Sequence, residues 1–261
     1  MSIETDLNSS NQIAIVTGGS RGIGRNIVVR LAGRGVNSIF TYNSNQAEAE
    51  KVIGLVAETG QKAIALQLDT GKAGTFDAFA QNVQAALKEL GATQFDFLVN
   101  NAGNNHHNMA FEQATEEELD SLYNVHFKGV FFLTQKLLPL IKDGGRIVNV
   151  STARTRLITP GGAAYGSMKG AVEVLTKYMA KELGPRRIAV NVVAPGATET
   201  DFSGGIVRDN PAVNKRVAEG TLLGRAGVPD DLGLMISSLL SEDNRWINAE
   251  RIEVTGGYVL P

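Results

Sequence analysis

Tyr165 and Lys169 stand four residues apart in the run Tyr165-Gly166-Ser167-Met168-Lys169, at the head of an amphipathic stretch. On a helix that spacing puts both side chains on one face. A free tyrosine, with a pKa of about 10, is a poor base at neutral pH. A nearby ammonium favours the phenolate and lowers that value. The phenol can then give a proton to a carbonyl oxygen or take one from an alcohol. Alone, the pair is a weak signal, because tyrosine and lysine four apart are common surface contacts. Its position sharpens it. Just upstream the β-branched run Gly145–Val150 ends at Ser151 and Thr152, where a hydroxyl can polarise the same oxygen. Side chains alternate along a strand, so only one hydroxyl faces the pair. Thr152 is the favoured donor; Ser151 would need a one-residue bulge.

A second chemical feature lies near the start of the chain. The strand-like run Gln12–Thr17 leads directly into Thr17-Gly18-Gly19-Ser20-Arg21-Gly22-Ile23-Gly24, and a helical stretch follows at once. Glycines there permit a tight turn and let a pyrophosphate approach the backbone at the helix N-terminus. The spacing Gly18-x-x-x-Gly22-x-Gly24 differs from the commoner G-x-G-x-x-G, but an ordinary strand-to-helix turn rarely needs four glycines in seven residues. The sequence also bears on which dinucleotide binds. An NAD site usually carries an acidic residue at the end of the second strand, for the ribose 2′-hydroxyl. Here that strand ends Tyr42-Asn43-Ser44, and no Asp or Glu occurs between Asp6 and Glu48. Arg21, Arg25, Arg30 and Arg34 do occur, and Arg21 lies within the turn, where a guanidinium can clamp a 2′-phosphate. Asn43 and Ser44 can add neutral hydrogen bonds. NADP(H) is the expected cofactor; Arg30 and Arg34 read as solvated helix-face residues.

These features need a scaffold. Short β-branched runs alternate with longer amphipathic stretches. Strands are expected at 12–17, 37–42, 62–68, 95–99, 145–150, 188–193 and 251–254. Helices are expected at 23–34, 45–59, 75–90, from the Thr115-x-x-Glu118 capping box to about Lys142, and at 163–183. The alternation predicts an α/β fold: a Rossmann-like, doubly wound parallel sheet of about seven strands with helices on both faces. Ligands bind such sheets beyond the carboxyl ends of the strands, which is where the motifs fall. Residues 1–261 read as one domain, with a flexible segment at 1–11 and a long, mobile substrate loop at 194–224.

The 25 basic and 27 acidic side chains nearly cancel, which disfavours nucleic acid or an anionic membrane as a main partner. With no cysteine, disulfides, thiolate metal sites and cysteine nucleophiles are excluded. The polar N-terminal residues lack the pattern of a signal peptide, and no apolar run approaches membrane-spanning length. A cytoplasmic protein with no metal centre is expected.

As an ordered set, the motifs closely resemble the short-chain dehydrogenase/reductase family, in its NADP(H)-dependent single-domain form and near its 3-oxoacyl-(acyl carrier protein) reductases. The resemblance spans nearly the whole chain. It rests on Thr17–Gly24, Asp69, Asn100-Asn101-Ala102-Gly103, Asn124, the hydroxyl pair, Tyr165–Lys169, Pro195-Gly196 and Gly256-Gly257. It implies Tyr165 as general acid/base, and Lys169 as holder of the nicotinamide ribose and depressor of the Tyr165 pKa. Asn124 would keep a relay water. Asp69 and Thr70 would contact the adenine, with Asn100, Asn101, Ala102 and Gly103 lining the adenosine side. Pro195, Gly196, Thr198 and Thr200 would wrap the nicotinamide. The family's catalytic serine lies thirteen residues before the tyrosine, and threonine stands there, at Thr152. A homo-oligomer, a tetramer, is implied as well.

The leading reading is a hydride transfer between NADP(H) and a carbonyl or secondary alcohol, as in a ketone, aldehyde or 3-oxoacyl reductase. Two others share the scaffold: an NAD-linked sugar or polyol dehydrogenase, and a non-enzymatic dinucleotide-sensing protein. A lyase without nicotinamide would need a blocked glycine turn and an arginine in place of Lys169. Phe202, Ile206, Val207 and Leu157 fit an apolar pocket wall for a bulky or aromatic carbonyl. His106 and His107 read as loop residues at the pocket mouth, His126 as packing, and Arg154 and Arg156 as loop charges. Phe111, Phe131 and Phe132 read as core, and Trp246 and Tyr258 as core or subunit contacts.

Overall fold

The computed structural model describes residues 11–104 and 110–258. Its strands are β1 (Ile13–Val16), β2 (Asn37–Tyr42), β3 (Ala63–Gln67), β4 (Phe95–Asn100), β5 (Ile141–Val150), β6 (Ala189–Pro195) and β7 (Arg251–Val254). They form one parallel sheet in the order β3-β2-β1-β4-β5-β6-β7. The direction of winding reverses between β1 and β4, and that gap is the switch point at which such sheets bind ligands. The helices are α1 (Gly22–Ala32), α2 (Gln46–Ala57), α3 (Phe76–Glu89), α4 (Glu116–Tyr123), α5 (Gly129–Leu137), α6 (Ala163–Leu183), α7 (Ile206–Asp209), α8 (Pro211–Glu219) and α9 (Pro229–Leu239).

Both sheet faces are covered, which is why the central strands read as continuous apolar runs. Ile13 and Ile15 of β1 pack with Phe79 and Leu87 of α3 and Leu133 and Leu137 of α5. The alternate residues Ala14 and Val16 pack with Ile27 and Leu31 of α1, Val52 of α2 and Ile236 of α9. Each fully buried side chain of this size stabilises the fold by about 1.5–3 kcal/mol.

The structure departs from the sequence reading in several places. The helix expected to reach about Lys142 ends its α-helical ladder at Leu137, five residues earlier, because Pro139 sits in a closing turn of 3₁₀ helix at Leu138–Leu140 and cannot continue it. Strand β5 starts at Ile141, and its register against β4 is irregular near Phe95. The segment 194–224 carries helices α7 and α8, the latter capped by Asn210, whose Oδ1 accepts from the amides of Ala212 and Val213.

Helix α9 was not expected at all. A Cβ on its Gly233 would lie 1.9 Å from Asn26 Oδ1, so the glycine permits the close packing of α9 on α1. Arg30 and Arg34 reach across that contact to Asp230 and Ser237, which places them in a helix interface rather than free in solvent. Phe111, Phe131 and Phe132 are exposed by 83%, 38% and 39%, and Trp246 by 96%, so none of the four belongs to the core. Within the segment expected to be flexible, Asn11 binds the Leu90 carbonyl and Asn37. His106, His107 and residues 1–10 lie outside the described residues.

Candidate active site

The first turns of α6 carry Tyr165 and Lys169. Lys169 is buried; its Nζ donates to the Val150 carbonyl at 2.7 Å and stands 5.9 Å from the centre of the Tyr165 ring. The Thr152 hydroxyl neighbours the Tyr165 phenol and favours its ionised form. Burial opposes charge on both members of the pair, pushing Tyr165 up to about 12 and Lys169 down to about 8. The Thr152 hydroxyl and the Arg154 charge favour the phenolate but are outweighed. The expected acidity is therefore corrected: desolvation, not the neighbouring amine, dominates the phenol. A phenol in that state is protonated at neutral pH and is a proton donor.

Ser151 and Thr152 diverge as neighbours on a strand must. Pairing of β5 with β6 is regular through Val150, so no bulge intervenes. Ser151 is buried, and its Oγ donates to Glu173 Oε1 at 2.6 Å, away from the tyrosine. Glu173 also accepts from Thr155 at 2.7 Å and lies 2.9 Å from Arg251 Nε. Arg251 donates to the Thr152 carbonyl at 3.2 Å, to Thr155 at 2.8 Å and to Glu253 at 2.7 Å. This half-buried charge network ties the end of β5 to α6 and β7. Sequence reasoning missed Glu173 and Arg251. The available signal was that Glu173 follows Lys169 by four residues on one helix face.

Between α4 and α5 the helix widens into a π-turn, Asn124–Lys128, in which the Gly129 amide donates to the Asn124 carbonyl. The side chain that this turn seats against Tyr165 is His126. The two rings meet edge to face, with centroids 5.1 Å apart and planes at 86°. On another side of Tyr165 the Phe202 ring lies 6.2 Å away. It sits in the region read as an apolar wall.

The glycine turn is built by close approach. Gly18 and Gly22 have φ of +66° and +55°, which favour glycine. A Cβ on Gly24 would lie 2.1 Å from the Gly18 carbonyl oxygen. Asn101 and Thr17 brace the turn: Asn101 Nδ2 donates to the Thr17 carbonyl at 2.9 Å, and the Thr17 hydroxyl accepts from the amides of Asn101 and Ala102. Asn100 is spent on buried bonds to Thr134 and Asn149. Helix α1 opens from Arg21 with no side chain capping it and no acidic residue in its first turn. Its leading amides thus suit an anion such as a pyrophosphate.

Around that turn the remaining candidates gather. Ser20 is buried within it, and Ile23 packs on the core below. Thr200 is the side chain a Cβ on Gly22 would touch, at 3.5 Å, so the segment after β6 closes over the turn. In the same segment Thr198 donates to the Gly196 carbonyl, and Gly196 packs against Thr255. At the ends of β2 and β3, Asn43 and Asp69 line one open cleft of about 320 Å³ with Lys72. Asp69 Oδ1 accepts from the Gly71 amide at 3.0 Å. Tyr42 is half-buried, its carbonyl accepting from the Leu68 amide, and Ser44 is exposed beyond it. Thr70 packs its backbone on Gly129.

Residues 18–259 match a family model described as enoyl-(acyl carrier protein) reductase. A hydroxynaphthalene reductase-like protein, Arp2, from Metarhizium majus is 34% identical over 267 residues, covering 98% of each chain. The promiscuous reductase LugOII, whose structure is described as catalysing keto-reduction at C1 during lugdunomycin biosynthesis, is 37% identical. It aligns with a TM-score of 0.90 over 95% of this chain and 98% of its own. The angucycline C-6 ketoreductase LanV, solved with bound NADP, is 35% identical, with a TM-score of 0.89 and 96% coverage of both chains. With the glycine turn, the seven-stranded sheet and the Tyr165–Lys169 pair in place, these matches lead to one conclusion: the chain belongs to the short-chain dehydrogenase/reductase family.

Proposed function

We propose that the chain is an NADPH-dependent ketoreductase acting on bulky aromatic ketones. The observation that carries the reading is the grouping of a protonated Tyr165 with Lys169, whose Nζ lies 5.9 Å from its ring, and with the neighbouring Thr152 hydroxyl. Bound NADPH supplies the hydride. Tyr165 gives its proton to the carbonyl oxygen, Thr152 holds that oxygen, and Lys169 and Arg154 favour the phenolate left behind. Gly18, Ser20, Gly22, Ile23 and Gly24 form the pyrophosphate seat at the head of α1. Arg21, Asn43 and Ser44 take the 2′-phosphate, next to Tyr42. Asp69, Thr70, Asn101, Ala102 and Gly103 frame the adenosine, and Pro195, Gly196, Thr198 and Thr200 the nicotinamide. The substrate class draws on Phe202 beside Tyr165 and on relatives whose names include a hydroxynaphthalene reductase and an angucycline ketoreductase.

The same reading has the chain work as one domain, in the cytoplasm, as a homotetramer. The exposed Phe131, Phe132, Val174 and Tyr178 support association, and light scattering after gel filtration checks it. Function is tested with a panel of aromatic, alkyl and 3-oxoacyl ketones, each with NADPH and NADH, followed by loss of reduced-nicotinamide absorbance. Turnover with polycyclic aromatic ketones and NADPH is expected. Tyr165→Phe should bind NADPH yet lose about 10²–10⁴-fold in kcat. Full activity in that variant, or a preference for NADH, overturns the mechanism or the cofactor assignment respectively.

A further inference from the structure

We propose that His126 is a positioning residue for Tyr165, coupling the phenol to the turn after β4. The inference rests on the ketoreductase reading above and concerns the same site. His126 is 1% exposed and touches the catalytic machinery on two sides. Its ring meets the Tyr165 ring edge to face, 5.1 Å between centroids. Its Nε2 lies 2.6 Å from the Asn104 carbonyl oxygen. A carbonyl only accepts, so Nε2 carries the proton and donates. A Cβ on Gly103 would lie 2.9 Å from His126 Cε1, so the turn packs directly on the imidazole. The ring is wedged between Gly103–Asn104 and Tyr165, and it cannot tilt without moving one or the other.

The local backbone serves this placement. A π-turn inserts a residue into the helical repeat and re-aims the side chains around it, and such turns recur at functional sites. Here it spans Asn124–Lys128 with His126 at its centre. The Asn124 carbonyl is engaged by the Gly129 amide within that turn. The turn after β4 also carries Ala102 and Gly103, on the adenosine side of the proposed cofactor seat. A single imidazole therefore links the seat to the proton donor.

The test uses the full chain and three variants. His126→Ala removes both contacts. His126→Gln keeps a donor for Asn104, and His126→Phe keeps a ring edge for Tyr165. For each, kcat and KM for the ketone, NADPH Kd by fluorescence, the thermal midpoint and the Tyr165 ring-carbon resonance in labelled protein are measured. His126→Ala is expected to lose about 10²-fold in kcat, the size of effect that follows an ångström of misplacement. Its NADPH Kd should hold while the Tyr165 resonance shifts. His126→Gln and His126→Phe should each recover part of the loss.

A wild-type kcat in His126→Ala overturns the inference. So does a set of variants in which kcat, Kd and thermal midpoint fall together, which would mark a packing role alone. A collapse of kcat in Asn124→Ala but not in His126→Ala overturns it as well. Failure of the unaltered chain to reduce any ketone would instead sink the ketoreductase reading.

Discussion

Replacing Lys169 by methionine should remove activity without removing stability, and the pH dependence of the difference is the sharpest check. Lys169 is 4% exposed, and burial alone lowers it from 10.5 to about 8. At about 1.36 kcal/mol per pH unit, keeping its ammonium in the fold costs about 3 kcal/mol near neutral pH. Methionine has a similar length and no charge. It leaves the Val150 carbonyl without the donor now at 2.7 Å, a loss of about 1–3 kcal/mol. The variant should therefore be as stable as the parent at about pH 7, or up to about 2 kcal/mol more stable.

The sign of the pH effect follows from the folded pKa lying below the unfolded one. Below pH 8 lysine is charged in both states, and the full penalty applies. As pH rises from about 8 to 10.5 the folded form gives up its proton first, so the parent gains stability that the variant cannot gain. Tyr165, at about 10 unfolded and about 12 folded, begins to contribute at the top of that window, equally in both proteins, and cancels from the difference. Urea unfolding of both proteins at about pH 7 and pH 10 reads this out, with the slopes checked for equality. A gap that does not move with pH would refute the buried-ammonium argument, as would a variant less stable than its parent by more than about 3 kcal/mol at neutral pH.

Other consequences can be measured on the same preparation. Thr152→Val should cut kcat by about 10²–10³-fold with NADPH Kd unchanged, whereas Thr152→Ser should stay within about tenfold, as steady-state kinetics on one aromatic ketone will show. Arg251→Met leaves the half-buried Glu173 carboxylate without its guanidinium, held only by Ser151 and Thr155; a loss of about 1–3 kcal/mol in unfolding free energy is expected, against little change if the network is ornamental. Gly24→Ala should abolish NADPH binding in fluorescence titration, because its Cβ would overlap the Gly18 carbonyl oxygen at 2.1 Å; tight binding would mean the turn relaxes without cost.

The parts of the fold legible in sequence are those whose signal is local. Strand β2 and helix α6 fall on the predicted residues because β-branched runs and a long apolar face declare themselves within one window. Helix α9 escaped because its evidence is tertiary: Gly233 looks like an interruption until Asn26 of α1 is seen pressing on it. The exposed Phe131 and Phe132 escaped for the complementary reason, since an apolar residue on a helix reads as buried until the neighbouring surface is known. At the site, the tyrosine, the lysine and the glycine turn are spacing motifs and were readable. The seating of His126 was not, because a π-turn shifts which side chain faces inward and leaves no mark in the residue types. Nor was the Tyr165 acidity, which depends on how much water the folded chain removes.

Two adjacent hydroxyls at the end of β5 have been given separate work by the pleat of the strand. Ser151 faces the charged network under the sheet edge, where Glu173 holds it. Thr152 faces the phenol, and its own backbone carbonyl is held by Arg251 from the other side. The network thus fixes the backbone from which the Thr152 hydroxyl projects. The choice of threonine then has a physical reading. A β-branched side chain is stiff at χ1, and the Thr152 Oγ1 also accepts from the Arg154 amide at 3.3 Å. A hydroxyl held by its own branching, by a backbone amide and by an anchored carbonyl loses little freedom when a substrate oxygen arrives. Serine at this position would keep the chemistry but would have to lose its rotamer freedom at each binding event.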